Sequence, residues 1–383
     1  MRGSASDHRP RPREIASGVA LGLDASAEAL PAAAPGDPRV ALQAVLLRAL
    51  RRPPCLVSFS GGRDSSAVLA AAAAVARQQG LALPVPVTYR FAAVAEADER
   101  RWQERVVTHL GLADWERVAI ASELDVLGPA AQDVMLRLGL LWPFNVHAHL
   151  PLLRRARGGT LLTGIGGDEL LGPSTWANAL GVLRARRAPR PRDLGSLGVA
   201  LAPLALRRRV QRRRHPLRIP WCRPEVEAAI AAEWADWRAR DPLAWNRQVA
   251  RYWRSRHRTG LTTSLALLAA DSGAQGVHPF LDARVVAATA RRFGARGPAD
   301  RTAAMLRLFG DLLPFDVSAR GTKARFDEVF LTERSRAFAA GWDGGGVDTS
   351  LVDPERLARE WRGPRPSARS LLLMQSAWLA TRP

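Results

Sequence analysis

The 383-residue chain carries 56 Lys+Arg against 36 Asp+Glu, a formal net charge of +20, with 47% hydrophobic and 24% charged residues. That balance suits a globular protein of two or three domains. No uninterrupted apolar run reaches the ~20 residues that span a bilayer, and the opening "MRGSASDHRPRPRE" lacks the apolar segment of a secretory signal, so a cytoplasmic protein with no membrane role is expected.

Residues 1–36 are rich in Pro, Ala and Arg without a sustained period, and are expected to form a disordered or loosely attached arm. Asp37 and Pro38 then open helical apolar spacing over 37–51. Strands are expected at 54–59, 84–91, 116–120 and 159–163, with helices at 65–79, 97–110, 122–139 and 145–157 between them. Strands alternating with helices predict an α/β core over 37–175, a parallel sheet with helices on both faces. From about 174 the pattern changes to proline-broken, arginine-rich stretches and tryptophan-bearing helices. Residues 176–383 are therefore expected as a mostly helical region that closes the active site, its tryptophans serving packing.

Cys55 and Cys222 stand apart in sequence and form no CxxC, which excludes a zinc ribbon or a disulfide framework. The positive charge raises a nucleic-acid partner. Yet the arginines are scattered, apart from "RRRVQRRRH" at 207–215, and Lys323 is the one lysine of the chain, as in a GC-rich coding bias.

The chemistry concentrates after the first strand. The apolar run Leu56 to Phe59 leads into Ser60-Gly61-Gly62-Arg63-Asp64-Ser65-Ser66 and then an alanine-rich helix. A strand, a glycine-hydroxyl loop and a helix start gather free backbone N–H groups and make an anion site. Asp64 sits in the middle of it, where a phosphate would repel it unless a divalent cation lies between them. The loop thus predicts a second carboxylate at the carboxyl end of another strand. "GIGGDELLG" at 164–172 supplies Asp168, following the apolar run Thr160 to Thr163.

"SGGRDSS" resembles the pyrophosphate loop of the N-type ATP pyrophosphatases, and "TGIGGDELLG" is similar to the GEGxDELFGG segment of asparagine synthetases. "EADERRWQERVVTHLGL" at 96–112, "GAQGVHPFLD" at 273–282 and "RGTKARF" at 320–326 resemble further segments of that family. Over roughly 37–340 the chain resembles their synthetase domain, which is related to β-lactam synthetases and lasso-peptide macrolactam cyclases.

The resemblance implies an adenine nucleotide α-hydrolase-like, Rossmann-like core and an AMP-forming ligase with ATP and Mg²⁺ as cofactors. Mg²⁺ would lie between Asp64 and Asp168, both also catalytic, with the pyrophosphate held by Ser60, Gly61, Gly62, Ser65 and Ser66. Ser58, Tyr89, Thr163 and Gly164 would contact the nucleotide, and Lys323 would offset charge during adenylation of a small-molecule or peptide carboxylate. In a chain that uses arginine everywhere else, that lysine also marks a place for a compact ammonium.

Two departures narrow the activity. Residue 2 is Arg where glutamine-dependent members carry a catalytic Cys, so glutamine hydrolysis by this chain is not expected and a separate ammonia source or a peptide-delivery protein is. Ile165 and Gln275 stand where the family carries glutamates, which disfavours free-ammonia asparagine synthesis and leaves Glu169 or His278 as candidate bases. Short-form asparagine synthesis, peptide macrolactam formation and β-lactam-type closure stay open. The last-named amine nucleophiles are intramolecular, and "PWCRPE" at 220–225 resembles a segment of the lasso cyclases. Modification of tRNA, or nucleotide binding without catalysis, are the rivals from other classes. His147 and His149 alone are too few for a metal site.

Overall fold

A computed structural model describes residues 9–33, 36–91, 94, 98–172, 174–184, 188–322 and 326–382. Helix α1 (Pro12–Ser17) is followed by α2 (Pro38–Leu50), where the Asp37 side chain accepts from Arg39 N at 2.8 Å and Pro38 takes the first helical position. The α/β alternation comes next: β1 (Cys55–Ser58), α3 (Arg63–Gln78), β2 (Val85–Phe91), α4 (Arg100–Leu110), β3 (Glu116–Ile120), α5 (Pro129–Leu138), α6 (Leu150–Arg155) and β4 (Thr160–Leu162). The alanines of α3 are almost all buried, and their small side chains let the helix lie close against its neighbours.

Helices then dominate: α7 (Gly167–Leu171), α8 (Ala177–Leu183), α9 (Pro191–Leu201), α10 (Leu204–Arg214), α11 (Pro224–Ala239), α12 (Trp245–Trp253) and α13 (Arg256–Asp271). One further strand, β5 (Gln275–Val277), precedes α14 (Ala283–Phe293), α15 (Arg301–Phe309), α16 (Phe315–Ala319), α17 (Glu333–Gly341), α18 (Pro354–Arg362) and α19 (Leu371–Ala380). Among the described residues no helix is long and apolar enough to cross a membrane.

The five strands among the described residues are all parallel, in the order β3-β2-β1-β4-β5. From β1 the sheet grows one way through β2 and β3, and from β4 it grows the other way into β5. The order therefore reverses between β1 and β4, and the loops leaving their carboxyl ends part to leave a crevice. The loop of Asp64 follows β1 and that of Asp168 follows β4.

Two expectations change here. β5 joins the sheet from far along the chain, pairing Leu161 with Gly276, so the sheet itself crosses the boundary expected near residue 175. The main core likewise mixes Leu46, Val57 and Leu69 with Val285 and Met305, and Trp245 and Trp253 are buried in it. The second correction concerns the arm. Residues 9–33 pack on the protein: Ala16 is buried and its carbonyl accepts from Trp221 Nε1 at 2.7 Å. Glu14 takes a two-pronged ion pair from Arg256, at 2.6 and 3.0 Å. The composition of the segment resembles a linker, but its partners lie more than two hundred residues away, where composition gives no signal.

Candidate active site

The loop after β1 is organised by its own hydroxyls. Ser60 Oγ lies 3.1 Å from Ser65 Oγ and accepts from Gly62 N at 3.2 Å, while Ser65 Oγ donates to Gly62 O at 3.1 Å. Gly61 adopts φ +81°, and a Cβ there would come within 2.8 Å of Gln103 Cγ. Glycine is required by both the turn and the neighbour. Gly62 caps α3 without a side chain, so the first N–H groups of the helix face the crevice with no capping group over them. Ser66 turns inward: it is fully buried and does not line the cavity, so its expected share in the cradle does not include its hydroxyl.

Asp64 and Asp168 come together as the sequence predicts, and a third residue joins them. Arg301, the first residue of α15, donates from Nη2 to Asp64 Oδ2 at 2.5 Å and from Nη1 to Asp168 Oδ1. Its neighbour Thr302 accepts from Arg63 at 3.5 Å, which ties α15 to the loop. Burial pushes the Asp64 carboxyl above its ordinary range, against the pull of Arg301. Burial also disfavours charge on Arg301, but the two carboxylates overcome it and raise the guanidinium above its usual value. Asp64 Oδ1 is buried with no hydrogen-bond partner, and Gly167 passes so near that a Cβ would stand 2.3 Å from Asp64 Cγ. Two facing carboxylates, one with an orphaned oxygen, fit a Mg²⁺ that takes its remaining ligands from phosphate and water. Among the described residues no cluster of three or more His, Cys, Asp or Glu side chains makes a self-sufficient metal site.

These groups line a cavity of about 420 Å³ that also includes Ser58, Thr163, Gly164, Ile165 and Arg320. It shares Ser58, Ser60, His149 and Phe326 with an apolar cavity of about 250 Å³ walled by Val87, Tyr89, Phe91 and Phe330. The whole is a cleft with a polar, N–H-rich end and an aromatic end. Tyr89 contributes its ring, because its hydroxyl is spent on Ala148 O at 2.6 Å. Thr163 Oγ1 lies 2.7 Å from His278 Nδ1, and Gly164 has no room for a side chain, a Cβ there falling 2.6 Å from Ser65 N.

Neither candidate base lines the cavity: Glu169, one position beyond Asp168, and His278 both lie outside its wall, as does Gln275. Burial holds His278 down to about 3 and His149 to about 4, so both rings are neutral at pH 7. His147 lies 3.0 Å from both Phe144 O and Leu124 O, which makes it a structural residue. Lys323 lies outside the described residues, as do Glu96 and Ala97 at the start of the acidic helix motif. The segment before Lys323 is anchored: Arg320 donates to Gly61 O at 2.9 Å and pairs with Glu99. Neither cysteine is fitted for nucleophilic work, since both are buried with thiols pushed up to about 12.

Arg301 carried no sequence signal, whereas Glu99 and Arg320 lie in the segments 96–112 and 320–326 that the resemblance marks, without having been singled out there. In the cluster at 207–215, Arg207 stacks over Trp176 and Arg208 pairs with Asp236, so part of it serves packing.

The sequence matches a family model described as asparagine synthase over residues 40–380. A search of curated proteins finds no match.

Proposed function

The chain belongs to the asparagine synthase family of ATP-dependent amide-forming ligases, and from that premise we propose that it joins a carboxylate to an amine through an acyl-adenylate. The observation that carries this reading is the pair Asp64 and Asp168, at the carboxyl ends of adjacent strands, facing the N–H-rich loop Ser60 to Ser65. Its support is chemical: such a pair beside an anion site suits a nucleoside triphosphate with its cation, and the aromatic end of the cleft suits a base.

ATP enters as substrate, its ring against Tyr89, Phe91 and Phe330 and its phosphates toward the start of α3. Asp64 and Asp168 would hold Mg²⁺, which supplies charge neutralisation on the phosphates. A substrate carboxylate oxygen bonds to the α-phosphorus, the bond to the bridging oxygen breaks, and pyrophosphate leaves. An amine then adds to the acyl carbon, and AMP departs with the amide formed. Arg63 and Arg320 line the same cavity and favour the departing anion, in the region where Lys323 is expected to act. Ile165 gives the wall an apolar surface that binds no ammonium, which favours an amine carried on a larger substrate.

A third cavity, of about 290 Å³, supports a peptide or other extended substrate. It shares Phe330 with the aromatic end of the cleft and adds Phe144, Glu328, Arg336 and Arg365. This is more surface than a single small amino acid needs, and it favours macrolactam formation over free asparagine synthesis.

The test is ATP–pyrophosphate exchange with Mg²⁺, screened against aspartate, β-amino acids and acidic peptides. Exchange with one of these, reduced by about 100-fold or more in Asp64→Asn, is expected. Unchanged exchange in Asp64→Asn removes the carboxylate pair from the mechanism, and binding of ATP without exchange for any acid argues for a non-catalytic nucleotide-binding protein.

A further inference from the structure

Arg301 stands where the cation of the proposed reaction would stand. Its fork reaches Oδ2 of Asp64 and Oδ1 of Asp168, and thereby relieves the repulsion of two carboxylates that face each other in a cavity. The side chains of Arg301 and Asp64 are only 17% and 15% exposed, while that of Asp168 is 47% exposed, so water screens the Asp168 side of the pair but little of the Asp64 side. A Mg²⁺ ion binds carboxylate oxygens at about 2.0–2.1 Å, and Asp64 Oδ2 already holds a guanidinium nitrogen at 2.5 Å. The guanidinium thus takes one oxygen of each carboxylate that the cation would need, while Asp64 Oδ1 stays without a hydrogen bond.

We infer that Arg301 is a built-in placeholder for the divalent cation: it competes with the metal for Asp64 and Asp168, and the incoming triphosphate draws it away. The inference rests on the ATP reading of the cleft.

The backbone of Arg301 need not move for this exchange. It begins a nine-residue helix whose Asp300 accepts from Ala303 N at 2.8 Å and whose Ala304 and Met305 are fully buried. Only the side chain has to swing, within a cavity whose wall also carries the N–H groups for the phosphates. A planar guanidinium suits a phosphate as well as a carboxylate, so the triphosphate offers Arg301 a replacement for what the cation takes. Metal and nucleotide are then linked: each binds more tightly when the other is present, because together they resolve the competition that the metal alone loses.

The experiment measures Mn²⁺ binding to the full chain by electron paramagnetic resonance of the free ion, with and without α,β-methylene-ATP. Without nucleotide, Arg301→Gln is expected to bind Mn²⁺ about tenfold more tightly than wild type, within the ordinary range of coupling. The analogue should bring wild type up toward the variant. Circular dichroism checks the fold. If Arg301→Gln does not fold, Arg301→Lys, whose single ammonium cannot span both carboxylates, carries the comparison with a smaller gain in the same direction. Equal or weaker nucleotide-free binding in the variant than in wild type overturns the placeholder role, whatever pyrophosphate exchange shows. Failure of both proteins to bind Mn²⁺ even with the analogue overturns the placeholder and the ATP–metal reading together.

Discussion

Arg320 and Glu99 form an ion pair almost sealed from solvent, with side chains 2% and 9% exposed and Nη2 2.8 Å from Oε1. The same guanidinium donates to Gly61 O at 2.9 Å and lies over the Trp102 ring at 4.7 Å. One side chain thus joins the start of α4, the loop after β1 and the segment leading to Lys323. Arg320→Ala leaves a buried carboxylate without its partner and is expected to cost about 3–5 kcal/mol, read from the urea midpoint. Arg320→Lys should recover only part of this, because an ammonium cannot hold both Glu99 oxygens and Gly61 O in the same plane. Wild-type stability in Arg320→Ala would detach this pair from the fold.

Gly167 approaches Asp64 too closely for any side chain, with a Cβ 2.3 Å from Cγ and 2.5 Å from Oδ1. Gly167→Ala is therefore expected to displace the carboxylate and lower pyrophosphate exchange by about 10-fold or more, since misplacement by an ångström costs up to about 100-fold. The clash meets a side chain that can rotate, so the melting temperature should fall little. Full exchange in this variant would mean that the position of Asp64 is not critical.

The imidazoles of His278 and His149 give a pH dependence with a definite sign, in the same direction as those of His147 and His257. Folded values of about 3 for His278 and about 4 for His149 lie below the unfolded value of 6.5. Between those values the unfolded chain binds more protons than the folded one, so stability is full above about pH 6.5 and declines as pH falls toward 4. Each ring contributes a slope of up to about 1.4 kcal/mol per pH unit within that window. Urea unfolding at pH 7 and pH 5 measures it, and His278→Gln should reduce the difference by the share of one ring, up to about 1.4 kcal/mol per pH unit. An unaltered pH dependence in that variant would show that His278 is not held neutral by the fold.

Glu14 and Arg256 test whether the amino-terminal segment belongs to the fold. Their side chains are 9% and 10% exposed, and the contact is two-pronged. Glu14→Ala should cost about 3 kcal/mol, as for other buried pairs that lose one member. A variant as stable as wild type in urea would return the segment to the status of an appendage.

The sequence was most legible where local rules and chemistry agree. The apolar run ending at Phe59, the glycines after it and the alanines of α3 each point to strand, loop and helix, and a carboxylate inside the loop demanded a partner that Asp168 provides. Boundaries were less legible. The helix expected over 122–139 starts at Pro129, because residues before it are held in a loop by buried Asp125, which accepts from Leu127 N, Thr332 and Ser335. That expected over 145–157 divides into a 3-10 turn, Val146–His149, and α6, with Pro151 in the first turn of α6. β5 escaped notice since a three-residue strand containing Gly276 has no alternation to detect. Rarity made Lys323 conspicuous, whereas abundance concealed Arg301: nothing local separates it from the other arginines, and its partners lie 237 and 133 positions away.

The late arrival of β5 bears on how the protein is made. In the finished fold Thr160, Leu161 and Leu162 are buried between β1 and β5. On the ribosome, β4 emerges long before Gln275 and must wait as an open, apolar edge while the intervening helices are synthesised. Both carboxylate loops lie upstream of that point, yet a gene fragment that ends between β4 and β5 would not yield a free-standing half that carries them. It would yield a sheet with a missing strand, inviting another chain to supply one.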